Sequence, residues 1–111
     1  MPLNPDPVRE VKANLFRVLG HPARVRILEL LREGERSVGA LQAELRLDSG
    51  GTSQHLAALR RIGLVESRRE GTSVYYRVDD ERVFELLAVS RAIITRQLAE
   101  QQSILRELET T

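Results

Sequence analysis

The chain has 111 residues, 41% hydrophobic and 30% charged, which supplies one core and not two. It contains no cysteine, so disulfides, iron–sulfur clusters, thiolate metal sites and thiol redox chemistry are excluded. No apolar run approaches the roughly 18 residues of a membrane span, and the opening MPLNPDPVREV lacks the basic-then-apolar order of a secretory leader, so no membrane association and a cytoplasmic location are expected. The net charge of +1 conceals a partition. Residues 1–48 carry 8 basic and 7 acidic groups, 49–78 carry 5 and 2, and 79–111 carry 4 and 7. The middle is therefore basic (+3) and the end acidic (−3), which directs residues 49–78 towards a polyanion.

Pro2, Pro5 and Pro7 make residues 1–7 a disordered lead-in, and residues 8–111 form a single domain. Val8, Val11, Leu15, Val18 and Leu19 fall at helical spacing and predict a first helix over about 8–20, ended by Gly20 in a left-handed conformation. His21-Pro22 opens a second helix with Val25, Ile27, Leu28, Leu30 and Leu31 on its apolar face, ending at Gly34. The short ERSV segment leaves room for one strand-like piece. Gly39 to Leu47 reads as a third helix, and Asp48 or Ser49 caps a fourth, in which Leu56, Leu59 and Ile62 share a face until Gly63.

Residues 39–63 thus have the helix-turn-helix pattern, with the fourth helix in the reading position. Leu64–Ser67 and Ser73–Val78 form a hairpin wing over about 64–78, joined by Arg68-Arg69-Glu70-Gly71-Thr72. Asp79 or Asp80 then caps a long helix over about 80–109. Its stripe of Phe84, Leu87, Arg91, Ile94, Leu98, Gln101, Leu105 and Leu108 alternates spacings of three and four, which so small a domain cannot cover alone. A homodimer built on Phe84, Leu87, Ile94, Leu98 and Leu105, with Leu15 of the first helix, is expected. The fold class is mainly α with a small β-hairpin, a winged helix-turn-helix whose first and fifth helices form the dimer interface.

The segment LGHPARVRILELL (Leu19–Leu31) resembles the second-helix signature of the ArsR–SmtB family of bacterial transcription regulators. So does Leu45–Val78, which carries the S-x-H-L…L-R-x-x-G-L-V…R-R-x-G-x-x-x-Y-Y pattern at Ser53, His55, Leu56, Leu59, Arg60, Gly63, Leu64, Val65, Arg68, Arg69, Gly71, Tyr75 and Tyr76. The resemblance spans about residues 9–95. It implies a homodimeric, sequence-specific regulator, usually a repressor, that binds a palindromic operator in double-stranded DNA and releases it when an effector, often a metal ion, binds. Two copies of the fourth helix would then enter major grooves about 34 Å apart.

Thr52, Ser53 and Gln54 are the expected base readers, with Gln54 able to bond an adenine edge. Arg60 and Arg61 are expected on phosphates. In the wing, Arg68, Arg69 and Thr72 reach the DNA backbone or minor groove, with Arg77 a weaker candidate. Tyr75 and Tyr76 alternate along a strand, one inward and one outward. Ser49, Gly50 and Gly51 open the reading helix and leave two alternatives. Either the helix starts late, near Thr52, and the glycines are a loose turn, or their bare backbone approaches a phosphate.

The family's metal sites are not legible here. The third helix has Ser37 and Gly39 where a Cys-x-Cys element would stand, and the last helix has no histidine. His55 is expected to pack between helices or bond a backbone carbonyl. His21, with Asp79, Asp80 or Glu10 from either chain, could form a nitrogen/oxygen site for Ni²⁺ or Zn²⁺. The remaining alternative is a signal supplied by a co-regulator protein docking on the acidic outer face of the last helix. No nucleophile–base set, phosphate loop or metalloprotease helix is present, so no enzymatic activity is expected.

Overall fold

The computed structural model describes residues 6–110, which divide into two compact units, one ending at Asp80 and the other beginning at Glu81. The first contains α1 (Pro7–Leu19), α2 (Pro22–Leu31), β1 (Arg36–Ser37), α3 (Val38–Leu45), α4 (Ser49–Arg61), β2 (Glu66–Glu70) and β3 (Ser73–Arg77). The second is α5 (Arg82–Thr110). The disorder expected of residues 1–5 lies outside the described residues. Asp6 and Pro7, placed in the same lead-in, instead start α1. The Asp6 carboxylate accepts the Val8 N–H at 3.0 Å, and Pro7 occupies the first turn, where a missing N–H costs no helical bond.

Gly20 follows α1 with φ −78°, not the left-handed conformation expected, and its N–H donates to the Arg17 carbonyl. α2 is capped by a histidine: His21 Nδ1 accepts the Ala23 N–H at 3.1 Å, and Pro22 is the first helical residue. Ser37 caps α3, which ends at Arg46 in a left-handed conformation (φ 55°) and so turns the chain into α4. At the far end of α4, Gly63 (φ +79°) donates to the Arg60 carbonyl while Leu64 donates to Leu59. This pair of reversed bonds satisfies the last carbonyls and stops the helix.

Ile27, Leu28, Leu30 and Leu31 of α2, Leu41 of α3, and Leu56 and Leu59 of α4 form the core with Val18 and Val65. Each such side chain contributes about 1.5–3 kcal/mol on burial. The sheet has the order β1-β3-β2, all antiparallel, so the expected hairpin gains a third strand through Arg36↔Tyr76 and Ser37↔Tyr75. β2 also runs longer than expected. It continues to Glu70, paired with Ser73, and the connection shrinks to Gly71 (φ +62°) and Thr72.

α5 starts later than the expected caps imply: the Glu81 carbonyl accepts the N–H groups of Phe84 and Glu85. Its 29 residues make a rod of about 44 Å. Among the described residues no helix is long and apolar enough to cross a membrane. Helix-turn-helix followed by a small sheet is the winged helix-turn-helix fold, and α4 holds its reading position.

Candidate nucleic-acid interface

The first turn of α4 gives a reason for one of its two glycines. Asp48 Oδ1 accepts the Gly51 N–H at 2.6 Å and the Asp48 carbonyl accepts the Thr52 N–H at 3.1 Å, so the helix begins at Ser49 and not near Thr52. A Cβ added at Gly50 would stand 3.8 Å from Asp48 Oδ1, an ordinary contact; at Gly51 it would stand 3.0 Å from that atom. Gly51 therefore leaves room for its own cap. Gly50→Ala is expected to raise stability by about half a kcal/mol by reducing the entropy of the unfolded chain. Gly51→Ala must push the capping carboxylate by a few tenths of an ångström, so it gains less or destabilises. Urea denaturation of the single mutants checks this, and equal gains at both positions would contradict it.

A rotation of 100° per residue places Ser49, Gly50, Ser53, Gln54, Ala57, Arg60 and Arg61 on one face of α4, and all are exposed. Thr52 does not join them. It is fully buried, and its hydroxyl donates to the Asp48 carbonyl at 3.0 Å, so it is removed from the base readers. The exposed face holds no carboxylate. Arg60 and Arg61 make no ion pair among the described residues, and their position in the last turn complements the helix dipole.

The longer β2 changes the wing. Arg68 and Arg69 are strand residues, so they leave opposite faces of the sheet. Arg68 is held by Glu35 at 2.6 Å and by Glu70 at 2.8 Å, and its guanidinium lies 4.6 Å over the Tyr75 ring. The Arg68 hydrogen bond holds the Glu35 carboxyl below its usual range, so Glu35 stays ionised and neutralises that arginine. Arg68 thus ties β2 to the chain before β1, and its charge is met by Glu35 and Glu70. Arg77 is likewise taken, by Asp79 at 2.8 Å. Arg69 and Thr72 are exposed, and Arg69 makes no ion pair among the described residues. Tyr75 and Tyr76, adjacent in β3, leave opposite faces of the sheet as expected, and both are half-buried.

One cluster was not foreseen from the sequence. Arg24 Nε donates to His55 Nδ1 at 3.2 Å and Arg24 Nη1 to the Val18 carbonyl at 3.2 Å, while the His21 and His55 rings lie 4.3 Å apart. His55 therefore bonds a guanidinium, not a backbone carbonyl. Arg24 precedes Ile27, Leu28 and Leu31 at spacings of three, four and seven, which was a legible sign that it shares their inward face.

Burial, then the positive charges of His21 and Arg24, pushes the His55 pKa down. A base with a depressed folded-state pKa stabilises the fold above its unfolded pKa and loses that contribution as pH falls. The melting temperature should accordingly drop between about pH 7 and pH 5, a histidine range, and drop less in His55→Gln. Parallel profiles for the two proteins would contradict the assignment to His55.

The expected metal site around His21 is not assembled in one protomer. Its Nδ1 accepts the Ala23 N–H, Asp79 is bound by Arg77, and Glu10 is exposed on α1. Among the described residues no group of three or more His, Cys, Asp or Glu could hold a metal ion. The expected dimer residues separate into two sets. Ile94, Leu98 and Leu105 are exposed on α5, as are Val89, Ile93, Ile104 and Leu108. Phe84 and Leu87 are half-buried in its first turns, and Leu15 is half-buried on α1, where the exposed apolar residues are Val8, Val11 and Phe16.

The profile of the bacterial regulatory proteins of the arsR family matches residues 21–67. An HTH-type transcriptional regulator of Mycobacterium tuberculosis, Rv0081, is 43% identical over 104 residues, covering 93% of this chain and 91% of that protein. Its crystal structure superposes with a TM-score of 0.81 over 87% of this chain and 98% of that one. A biofilm growth-associated repressor of Agrobacterium fabrum is 37% identical over 93 residues, 80% of each chain. The solution structure of the homodimeric winged helix-turn-helix DNA-binding domain Mb0332 of Mycobacterium bovis is 35% identical, with a TM-score of 0.75 over 88% of this chain and 94% of that one.

Proposed function

The chain belongs to the arsR family of bacterial regulatory proteins, and from that membership we propose that it is a repressor that binds a palindromic operator as a homodimer. Its family and relatives are transcription regulators, not enzymes. The exposed face of α4 carries the reading: Ser53 and Gln54 have no role in the core, no carboxylate accompanies them, and Arg60 and Arg61 follow on the same face. Short side chains let the helix enter a major groove, where Gln54 bonds an adenine edge and Ser53 a base or phosphate. The Asp48 cap already holds the N–H groups of Gly51 and Thr52, so a phosphate at this helix end would meet only those of Ser49 and Gly50. Arg69 and Thr72 at the wing serve the flanking backbone. The domain named for Mb0332 is homodimeric, and the same assembly here would cover the apolar residues that α1 and α5 leave in solvent.

A metal ion is a poor signal for this chain. Coordination through His21 Nδ1 would break the cap of α2, and His55 Nδ1 is engaged by Arg24. A co-regulator on α5 would need to share that helix with the second copy. Sequencing the genomic fragments that the purified protein retains tests the proposal. The expected result is a palindromic site with half-sites about one helical turn apart, overlapping a promoter. Fragments without a shared motif would overturn it.

A further inference from the structure

A cleft of about 300 Å³ opens between α1, α2 and α4. Arg17, Arg24 and Arg61 line it with Asn14, and Val18, Ala58 and Ile62 form its apolar floor. No carboxylate lines it, and none of the three arginines forms an ion pair among the described residues. Arg17 donates to the Asn14 side chain, and Arg24 keeps one terminal nitrogen beyond its bonds to His55 and Val18. Like charges converging without a counter-charge repel, and an anion seated among them removes that repulsion. Planar guanidinium groups pair with carboxylates through two parallel bonds. The apolar floor asks for more than a bare ion, and the volume lies at the small end of ligand pockets.

We propose that this cleft is an effector site for a small organic anion, a carboxylate on a compact apolar body, whose binding weakens DNA binding by α4. This rests on α4 being the DNA-reading helix. The link is direct at two points. Arg24 is bonded to His55, the neighbour of Gln54, so a carboxylate that takes this guanidinium loosens the tie that fixes α4. Arg61 is itself a phosphate-contact residue, and a bound carboxylate neutralises it. Ser53 and Arg61 are eight residues apart on α4, about 12 Å along its axis, so the cleft and the base-reading end can be occupied separately. A DNA phosphate is the other source of an anion here, but it brings no apolar body to cover Val18, Ala58 and Ile62.

Calorimetry of the full-length protein with benzoate and hexanoate, at constant ionic strength and without DNA, tests the site. Benzamide serves as the uncharged control and inorganic phosphate as the bare anion. Saturable binding of one carboxylate per chain is expected, not matched by benzamide or phosphate, and weakened about tenfold or more by both Arg17→Gln and Ala58→Leu. Benzoate should lower the operator affinity of the wild type several-fold and leave that of Ala58→Leu unchanged. No saturable binding of either carboxylate, binding indifferent to both substitutions, or binding without effect on operator affinity would overturn the proposal. Binding of inorganic phosphate alone, displaced by DNA, would overturn it too and identify the cleft as a seat for the DNA backbone. Because the calorimetry needs no DNA, failure of the wild type to bind an operator would count against the repressor reading and leave the anion site to be judged by itself.

Discussion

Replacing Leu98 and Leu105 together by aspartate is expected to leave a monomer that sediments at 12.6 kDa, half the mass expected of the proposed wild-type dimer, and binds the operator at least about 100-fold more weakly. The two residues are seven apart and share a face of α5. Both are exposed in the protomer, at 54%, so the substitutions remove nothing that holds one chain folded. With Ile93, Ile94, Ile104 and Leu108 they form a broad apolar surface, and each side chain of this kind contributes about 1.5–3 kcal/mol when covered. Two carboxylates from each chain would oppose one another across a two-fold interface. A dimeric double mutant with unchanged operator affinity would show that α5 is not the interface.

Gln54→Ala should weaken operator binding by about 1–3 kcal/mol, which is roughly 5- to 150-fold, and relax the preference at one base pair of each half-site. The substitution touches no core group, since Gln54 is exposed while Thr52, Leu56 and Leu59 on the opposite face are buried. The melting temperature should therefore stay within about a degree or two. Arg60→Ala offers the contrast. On the proposed reading Arg60 meets phosphate and no base, so binding should weaken uniformly across sequences and depend less steeply on salt. A Gln54→Ala protein that selects the same operator as the wild type would remove Gln54 from base reading.

The two halves of the reading helix were not equally legible. Leu56 and Leu59 at helical spacing fixed the buried face of α4, and a count of four residues back from Leu56 already put Thr52 on it; the attraction of three adjacent polar residues hid this. The cap by Asp48 was legible, but the closeness of Gly51 to the capping oxygen needed coordinates. ESRRE has no apolar alternation to mark it as a strand, so the sequence pattern ends β2 early and presents as a loop pair two arginines that point apart. Glu35, which neutralises Arg68, lies 33 positions away and no local pattern joins them. On α5 the stripe of threes and fours found Leu98 and Leu105 but was too narrow to include Val89, Ile93 and Ile104.

The salt dependence of binding to the DNA upstream of the protein's own gene, measured by fluorescence anisotropy beside a scrambled duplex, tests most directly that α4 reads DNA through one basic face. Affinity for the upstream duplex should exceed that for the scrambled one by at least about a thousandfold and fall steeply and linearly with the logarithm of salt concentration, as phosphates neutralised by arginines release their counterions. Affinity that is insensitive to salt, or equal for the two duplexes, would contradict it.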